Sequence, residues 1–254
     1  MNINEIYSAN KQRIVTSAVL FAFALIVALV DNTLLTWLVV GAIYIVSFYE
    51  AMALFSLDDK KYLVYAVAIW LAALIYPNPD DIAYTVIIIS LSMMVHKKEL
   101  SYKKLLPFFY PTASLLFLWA LYMDFGMSSL VWLVVVVSST DIGAYVVGKS
   151  IGKTPFSKTS PNKTWEGVVG GIVTATILGS IVGLGSVDLS ISILVSLLVS
   201  ISSVWGDLFE SYLKREAQVK DSGAIFPGHG GMLDRVDGYM FGSIIMVILL
   251  RGLL

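Results

Sequence analysis

Long apolar runs, broken at short intervals by charged segments or by glycine and proline, set the pattern of this 254-residue chain. Nine stretches are long enough, or nearly so, to cross a hydrocarbon core of about 30 Å as helices. They fall at 14–30, 33–55, 62–76, 82–95, 107–123, 129–148, 167–185, 189–206 and 236–253. The third and fourth are short and flank the turn YPNPDD, which suits a hairpin of thin helices or a re-entrant pair. The first follows Lys11 and Arg13 without a small-residue cleavage site and reads as an uncleaved first helix.

Charge orients this pattern. Cytoplasmic loops collect Lys and Arg. With the N-terminus in the cytoplasm, 16 of the 17 basic residues fall on that side, leaving Arg251 opposite with Asp31, Asp80, Asp81, Asp124 and Asp188. Adding or removing one helix would scramble the partition. The chain therefore reads as an all-α integral membrane protein of about nine transmembrane helices, N-terminus cytoplasmic and C-terminus outside. About four helices lie in residues 1–106. About five form a catalytic region, 107–254, in which polar cytoplasmic loops at 149–166 and 207–235 build the site.

Composition narrows the chemistry. Hydrophobic residues make up 57% of the chain, more than a soluble domain of this size buries. A net charge of −1 argues against nucleic acid as a partner, which asks for a clustered basic face. There is no cysteine, and His96 and His229 are the only histidines. Disulfides, iron–sulfur clusters, cysteine nucleophiles and thiolate or histidine-rich metal sites are thereby excluded.

Against that background residues 211–237, SYLKREAQVKDSGAIFPGHGGMLDRVD, stand out as a dense polar run between two apolar segments. Just upstream, Asp207, Glu210, Ser211 and Lys214 fall at i, i+3, i+4 and i+7, one stripe of a helix. Ionisable groups at membrane depth are costly and usually functional. Pro227, Gly228, Gly230 and Gly231 permit a tight turn before Asp234 and Asp237, where backbone N–H groups at a helix start can meet phosphate. Asp207 and Asp234 can converge from neighbouring helices as hard oxygen ligands. That suits Mg²⁺, alone or as one of a pair of cations, with phosphate and water completing its shell. His229 fits equally a catalytic base or a turn residue bonded to backbone.

A second polar stretch begins at Asp141, beside Ser138, Ser139 and Thr140. An isolated carboxylate there would cost up to ~2.5–3.5 kcal/mol and needs a metal or a lysine as partner. Lys149, Lys153, Lys158 and Lys163 follow, with Thr164, Trp165, Glu166 and Gly167. GKSIGKT is not a phosphate-binding P-loop, because only three residues separate Gly148 from Gly152 and no strand precedes it. Glu50 reads as a carboxylate snorkelling from the inner end of its span, and His96 as a headgroup-level residue. Lys97, Lys98, Lys103 and Lys104 attract anionic lipid.

The run S-Y-L-K-R-x4-K-D-S-G-x2-F-P-G-H-G-G-M-L-D-R-V-D resembles, without departure, the signature of the phosphatidate cytidylyltransferases (CDP-diacylglycerol synthases). GDLFES at 206–211, DIGAY at 141–145 and SPNKTWEG at 160–167 resemble further segments of that family, so the likeness covers about the C-terminal half. It implies that CTP and phosphatidate become CDP-diacylglycerol and pyrophosphate, with Mg²⁺, at the cytoplasmic face of the inner membrane, in a protein that is usually a homodimer. It implies that Asp207 and Asp234 hold the metal centre and that Ser211, Lys214, Lys220 and Asp221 belong to the site, with Asp141 and Lys163 carried over as well.

Bringing two polyanions together demands positioning and charge neutralisation above all. Lys214, Arg215, Lys220 and Arg235 are candidates to cradle phosphate, and Lys149, Thr164, Gly230 and Gly231 to bind substrate. A phosphate nucleophile is already anionic, which leaves His229 a modest role. The rival readings are another CTP-dependent lipid enzyme, a CDP-archaeol synthase or polyprenol kinase, and a cation transporter using Asp141, Asp207 and Asp234.

Overall fold

A computed structural model describes residues 3–226, 228 and 230–254, with side chains described from Val15 onward except at Tyr102. Among these residues the chain is helical, with no strand beyond two isolated bridges. The helices are α1 (Ile3–Val30), α2 (Thr33–Leu54), α3 (Lys61–Ile75), α4 (Pro79–His96), α5 (Tyr102–Pro107), α6 (Ser114–Ile151), α7 (Trp165–Gly183), α8 (Leu189–Glu216) and α9 (Leu233–Leu253). A π-helical turn, Phe108–Ala113, joins α5 to α6.

Among the described residues, five segments are long and apolar enough to cross a membrane: Thr33–Leu54, Lys103–Ile151, Trp165–Gly183, Leu189–Glu216 and Leu233–Leu253. Val15–Val30 and Lys61–Ile75 are apolar but shorter. The Lys103–Ile151 segment is folded on itself. Gly126 takes φ 72° and ψ −171°, which a residue with a Cβ rarely adopts. Ser129 Oγ donates to the Leu121 carbonyl at 3.1 Å, a pair that a straight helix would hold about 12 Å apart. Ser243 on α9 donates to the Ser114 carbonyl while its neighbour Gly242 faces Leu133, two positions about 28 Å apart along a straight helix. The chain therefore reverses at Gly126, and the expected stretches 107–123 and 129–148 lie in separate arms.

Proline explains the π turn. Pro111 has no N–H to give the Pro107 carbonyl, which accepts instead from Thr112 Oγ1 at 2.8 Å. Tyr44 of α2 meets the same hydroxyl at 3.0 Å, which fixes the turn to the N-terminal half.

In the C-terminal half, small residues let α6 and α7 pack backbone to backbone. A Cβ on Gly171 would lie 2.5 Å from the Thr140 carbonyl, and one on Gly167 2.8 Å from that of Ala144. Polar pairs tie α6 to α8 and α9: Thr140 with Ser200 (2.8 Å), Trp132 Nε1 with Ser196 Oγ (3.0 Å) and Ser138 with Tyr239 (3.0 Å).

Both polar loops are shorter than expected because helix continues into them. They are 152–164 rather than 149–166, and 217–232 rather than 207–235. α8 has 28 residues, a length of about 42 Å, which exceeds a core of about 30 Å, and its polar stripe is at the C-terminal end.

Candidate active site

The site is built where the end of α8, the start of α9 and the 152–164 loop meet. On α8 the spacing works as expected: Ser211 Oγ donates to Asp207 Oδ1 at 3.3 Å, and Lys214 Nζ donates to Glu210 Oε2 at 2.6 Å. Lys214 also crosses to α9, donating to Asp234 Oδ1 at 2.6 Å. Asp207 Oδ2 forms an ion pair with Lys163.

Lys163 arrives there on a small hairpin. Phe156 N donates to the Lys163 carbonyl (2.7 Å) and Trp165 N to the Thr154 carbonyl (2.9 Å). Glu166 binds the opposite limb, accepting from the backbone of Lys153 and Thr154 (3.2 Å each) and the Thr154 hydroxyl (2.8 Å). Thr164 caps α7 by accepting from Gly167 N at 3.2 Å, so its role is to shape the loop. Trp165 packs edge-on to Phe156 with ring centroids 4.7 Å apart.

The glycine-rich turn serves a different end from the one expected. Gly230 has φ 80°, and a Cβ there would lie 2.5 Å from Asp234 Oδ2. That oxygen accepts from Gly231 N (2.7 Å), Ser222 N (2.9 Å) and Ser222 Oγ (2.9 Å). Met232 N and Leu233 N donate to Glu50 at 2.9 and 2.8 Å. The N–H groups of Gly231, Met232 and Leu233, expected to face phosphate, are thus taken by the protein's own carboxylates. Glu50 itself is corrected: it is 3% exposed and reaches into the site instead of toward the headgroups.

More carboxylate gathers here than the stripe alone supplies. The partly buried Asp237 lies within electrostatic reach of Asp207, Glu210 and Asp141. α8 and α9 come this close because residue 206 is glycine: a Cβ there would lie 2.4 Å from the Asp237 carbonyl. Asp141 has Asp207, Lys163 and Arg235 as charged neighbours. Tyr110, carried by the π turn and packed on Phe209 and Phe241, faces the same acids. Its buried hydroxyl and the buried Glu210 Oε1 have no hydrogen-bond partner among the described residues.

The chain matches the cytidylyltransferase family over residues 11–253. It belongs to that family. It is 43% identical over 244 residues to the phosphatidate cytidylyltransferase of Helicobacter pylori strain J99, covering 94% of this chain and 91% of that one. The corresponding protein of strain 26695 is 42% identical over 238 residues, with 92% and 89% covered. Phosphatidate cytidylyltransferase of Bacillus subtilis is 47% identical over 122 residues, 46% of this chain and 45% of its own.

For a cytidylyltransferase handling phosphates, the charge balance is informative. Lys163 pairs with Asp207 and Lys214 with Glu210 and Asp234, while Asp237 adds a further carboxylate beside Asp207 and Glu210. No three carboxylates or imidazoles among the described residues converge tightly enough to hold an ion unaided. An acidic site with orphaned buried oxygens fits a hard cation whose shell phosphate and water complete.

Other expected residues lie at the margin. Arg235 is exposed on the Asp141 side, and Lys220 and Asp221 are exposed on the loop, with Asp221 beside Gly230. Arg215 donates to the Val219 carbonyl at 3.4 Å, and Lys149 to Tyr145 on its own helix at 3.3 Å. Neither is brought to Asp207 or Asp234. His229 lies outside the described residues.

Proposed function

We propose that the protein transfers a cytidylyl group from CTP to phosphatidate, giving CDP-diacylglycerol and pyrophosphate. The observation that carries this reading is the meeting of Lys163, Asp207, Lys214 and Asp234 from two separate polar segments. They meet in a chain aligned with phosphatidate cytidylyltransferases over nine-tenths of its length. A phosphate oxygen of the lipid bonds to the α-phosphorus of CTP, and the bond from that phosphorus to the oxygen bridging the β-phosphate breaks. The nucleophile is anionic from the start, so the protein's work is to position and neutralise.

Lys163 and Lys214 are the ammonium groups placed for that work. They balance Asp207 and Asp234, and the same groups can stabilise phosphate oxygens. Asp207 and Asp234 would hold Mg²⁺, alone or beside a second cation, which when bound supplies Lewis-acid neutralisation of phosphate oxygens. Ser211 orients Asp207, and Ser222 with Gly231 orients Asp234. Asp141 and Arg235 flank the side on which Lys163 enters.

The same proposal places nine crossings in the inner membrane, with the N-terminus and the site in the cytoplasm. Supporting it are the one-sided basic residues and the gathering of Arg251, Asp80 and Asp124 at the far end of α9. The homodimer that the resemblance implies belongs to this proposal too.

Pyrophosphate release from CTP by purified protein in mixed micelles tests the reading. Release is expected only with phosphatidate present, and chelation of Mg²⁺ should abolish it. Pyrophosphate release with an isoprenoid ether-lipid phosphate, or CDP release with a polyprenol, but no pyrophosphate release with phosphatidate, would overturn the choice of acceptor.

A further inference from the structure

We infer that Glu50, on α2, is a positioning residue for the transfer: it fixes Ser222 and the start of α9 and, through them, Asp234. The inference rests on the function proposed above. Glu50 Oε1 accepts from Met232 N at 2.9 Å and Oε2 from Leu233 N at 2.8 Å, and the Ser222 hydroxyl lies within donating distance of Oε2 at 3.1 Å. All three donors belong to the segment that presents Asp234. Two of its glycines exist to admit this carboxylate: a Cβ on Gly223 would lie 2.4 Å from Glu50 Oε1, and one on Gly231 2.5 Å from Oε2.

The amides of Met232 and Leu233 are at the start of α9, where a helix has donors without partners of its own. Binding them sets where α9 begins, and so the register at which Asp234 and Asp237 face Asp207. Ser222 couples the two acids directly. Its hydroxyl lies 3.1 Å from Glu50 Oε2 and 2.9 Å from Asp234 Oδ2. One proton serves one acceptor at a time. When Asp234 Oδ2 takes another partner, the Ser222 hydroxyl can turn to Glu50 and remain satisfied. α2 also holds the π turn through Tyr44 and Thr112, so one N-terminal helix positions both the α9 turn and Tyr110.

The test compares Glu50→Gln, Glu50→Asp and Ser222→Ala with the wild type in the full-length protein. Glutamine keeps the volume but presents an amide N–H to groups that are themselves donors. In Glu50→Gln, hydrogen exchange at amides 231–233 should accelerate. Half-saturating Mg²⁺ for pyrophosphate release should rise about tenfold, as expected when a partner behind a metal ligand is lost. Turnover at saturating Mg²⁺ should fall less, and Glu50→Asp should recover part of the shift.

Unchanged exchange and unchanged Mg²⁺ dependence would overturn the inference. So would a loss confined to the amount of folded protein, with wild-type kinetics per folded molecule. If Glu50→Gln does not accumulate, Ser222→Ala decides: a smaller shift in the same direction supports the inference, and none overturns it. A wild-type protein that releases no pyrophosphate from CTP and phosphatidate would sink the proposed function instead. The exchange comparison would still judge whether Glu50 fixes the segment.

Discussion

At its C-terminal end α9 places Arg251 between two acids; at its N-terminal end it brings Asp234 and Asp237 to Lys214, Glu210 and Asp207. The first cluster is closed. Arg251 donates to both oxygens of Asp80, at 2.6 and 3.0 Å, and to Asp124 at 2.7 Å. Nearby, Tyr122 donates to Asp31 at 3.1 Å. The second cluster is open, with more carboxylates than ammonium groups and two buried oxygens lacking partners among the described residues. A satisfied network holds helices together. A site proposed to accept phosphate and a cation needs charge and polar atoms to spare, and at the Asp207 end the carboxylate excess, Tyr110 and Glu210 supply them.

The sharpest way to break this contrast is to remove one acid from the open cluster. Asp207→Asn and Asp234→Asn should each lower turnover by about a thousandfold while the protein still inserts and folds, since charge stabilisation dominates such transfers. Near-normal pyrophosphate release in either variant would refute the assignment.

Lys214→Met should cost about a hundredfold in turnover. It should also destabilise the protein by about 3–5 kcal/mol, because Glu210 is then left buried without its cation. Activity and thermal unfolding in detergent measure the two effects separately. His229→Gln should cost about tenfold at most, the loss expected of an auxiliary proton-handling group. A loss as severe as that of Asp207→Asn would make His229 a primary catalyst.

Arg251→Gln should give the smallest change in turnover, within about twofold, with a stability loss of about 1–2 kcal/mol, limited because the side chain is partly exposed. An activity loss equal to that of Lys214→Met would erase the distinction between the two ends.

The polar stripe on α8 was legible because helical spacing alone puts Asp207, Glu210, Ser211 and Lys214 on one face. The reversal within α6 was legible too, since MDFGMSS interrupts two apolar runs. Helix ends were not: the stripe itself is helical, so α8 runs ten residues past the apolar stretch ending at 206. Nor was the role of Glu50. Its position in IVSFYEAMALF marks a costly carboxylate among apolar residues, yet its partner Ser222 is 172 residues away. Tyr110 carried no signal beyond the prolines around it.

By itself, then, the sequence determined which residue types carry the chemistry, that apolar helices hold them, and which segments resemble the family, because hydropathy and helical period are local properties. Which of those residues act together was decided by tertiary structure. The hairpin carries Lys163 to Asp207, Lys214 bridges α8 to α9, and Glu50 on α2 closes the turn before Asp234. Arg215 and Lys149, as basic as the others, turn away. Each of these outcomes depends on contacts between segments far apart in the chain, to which composition and spacing are blind.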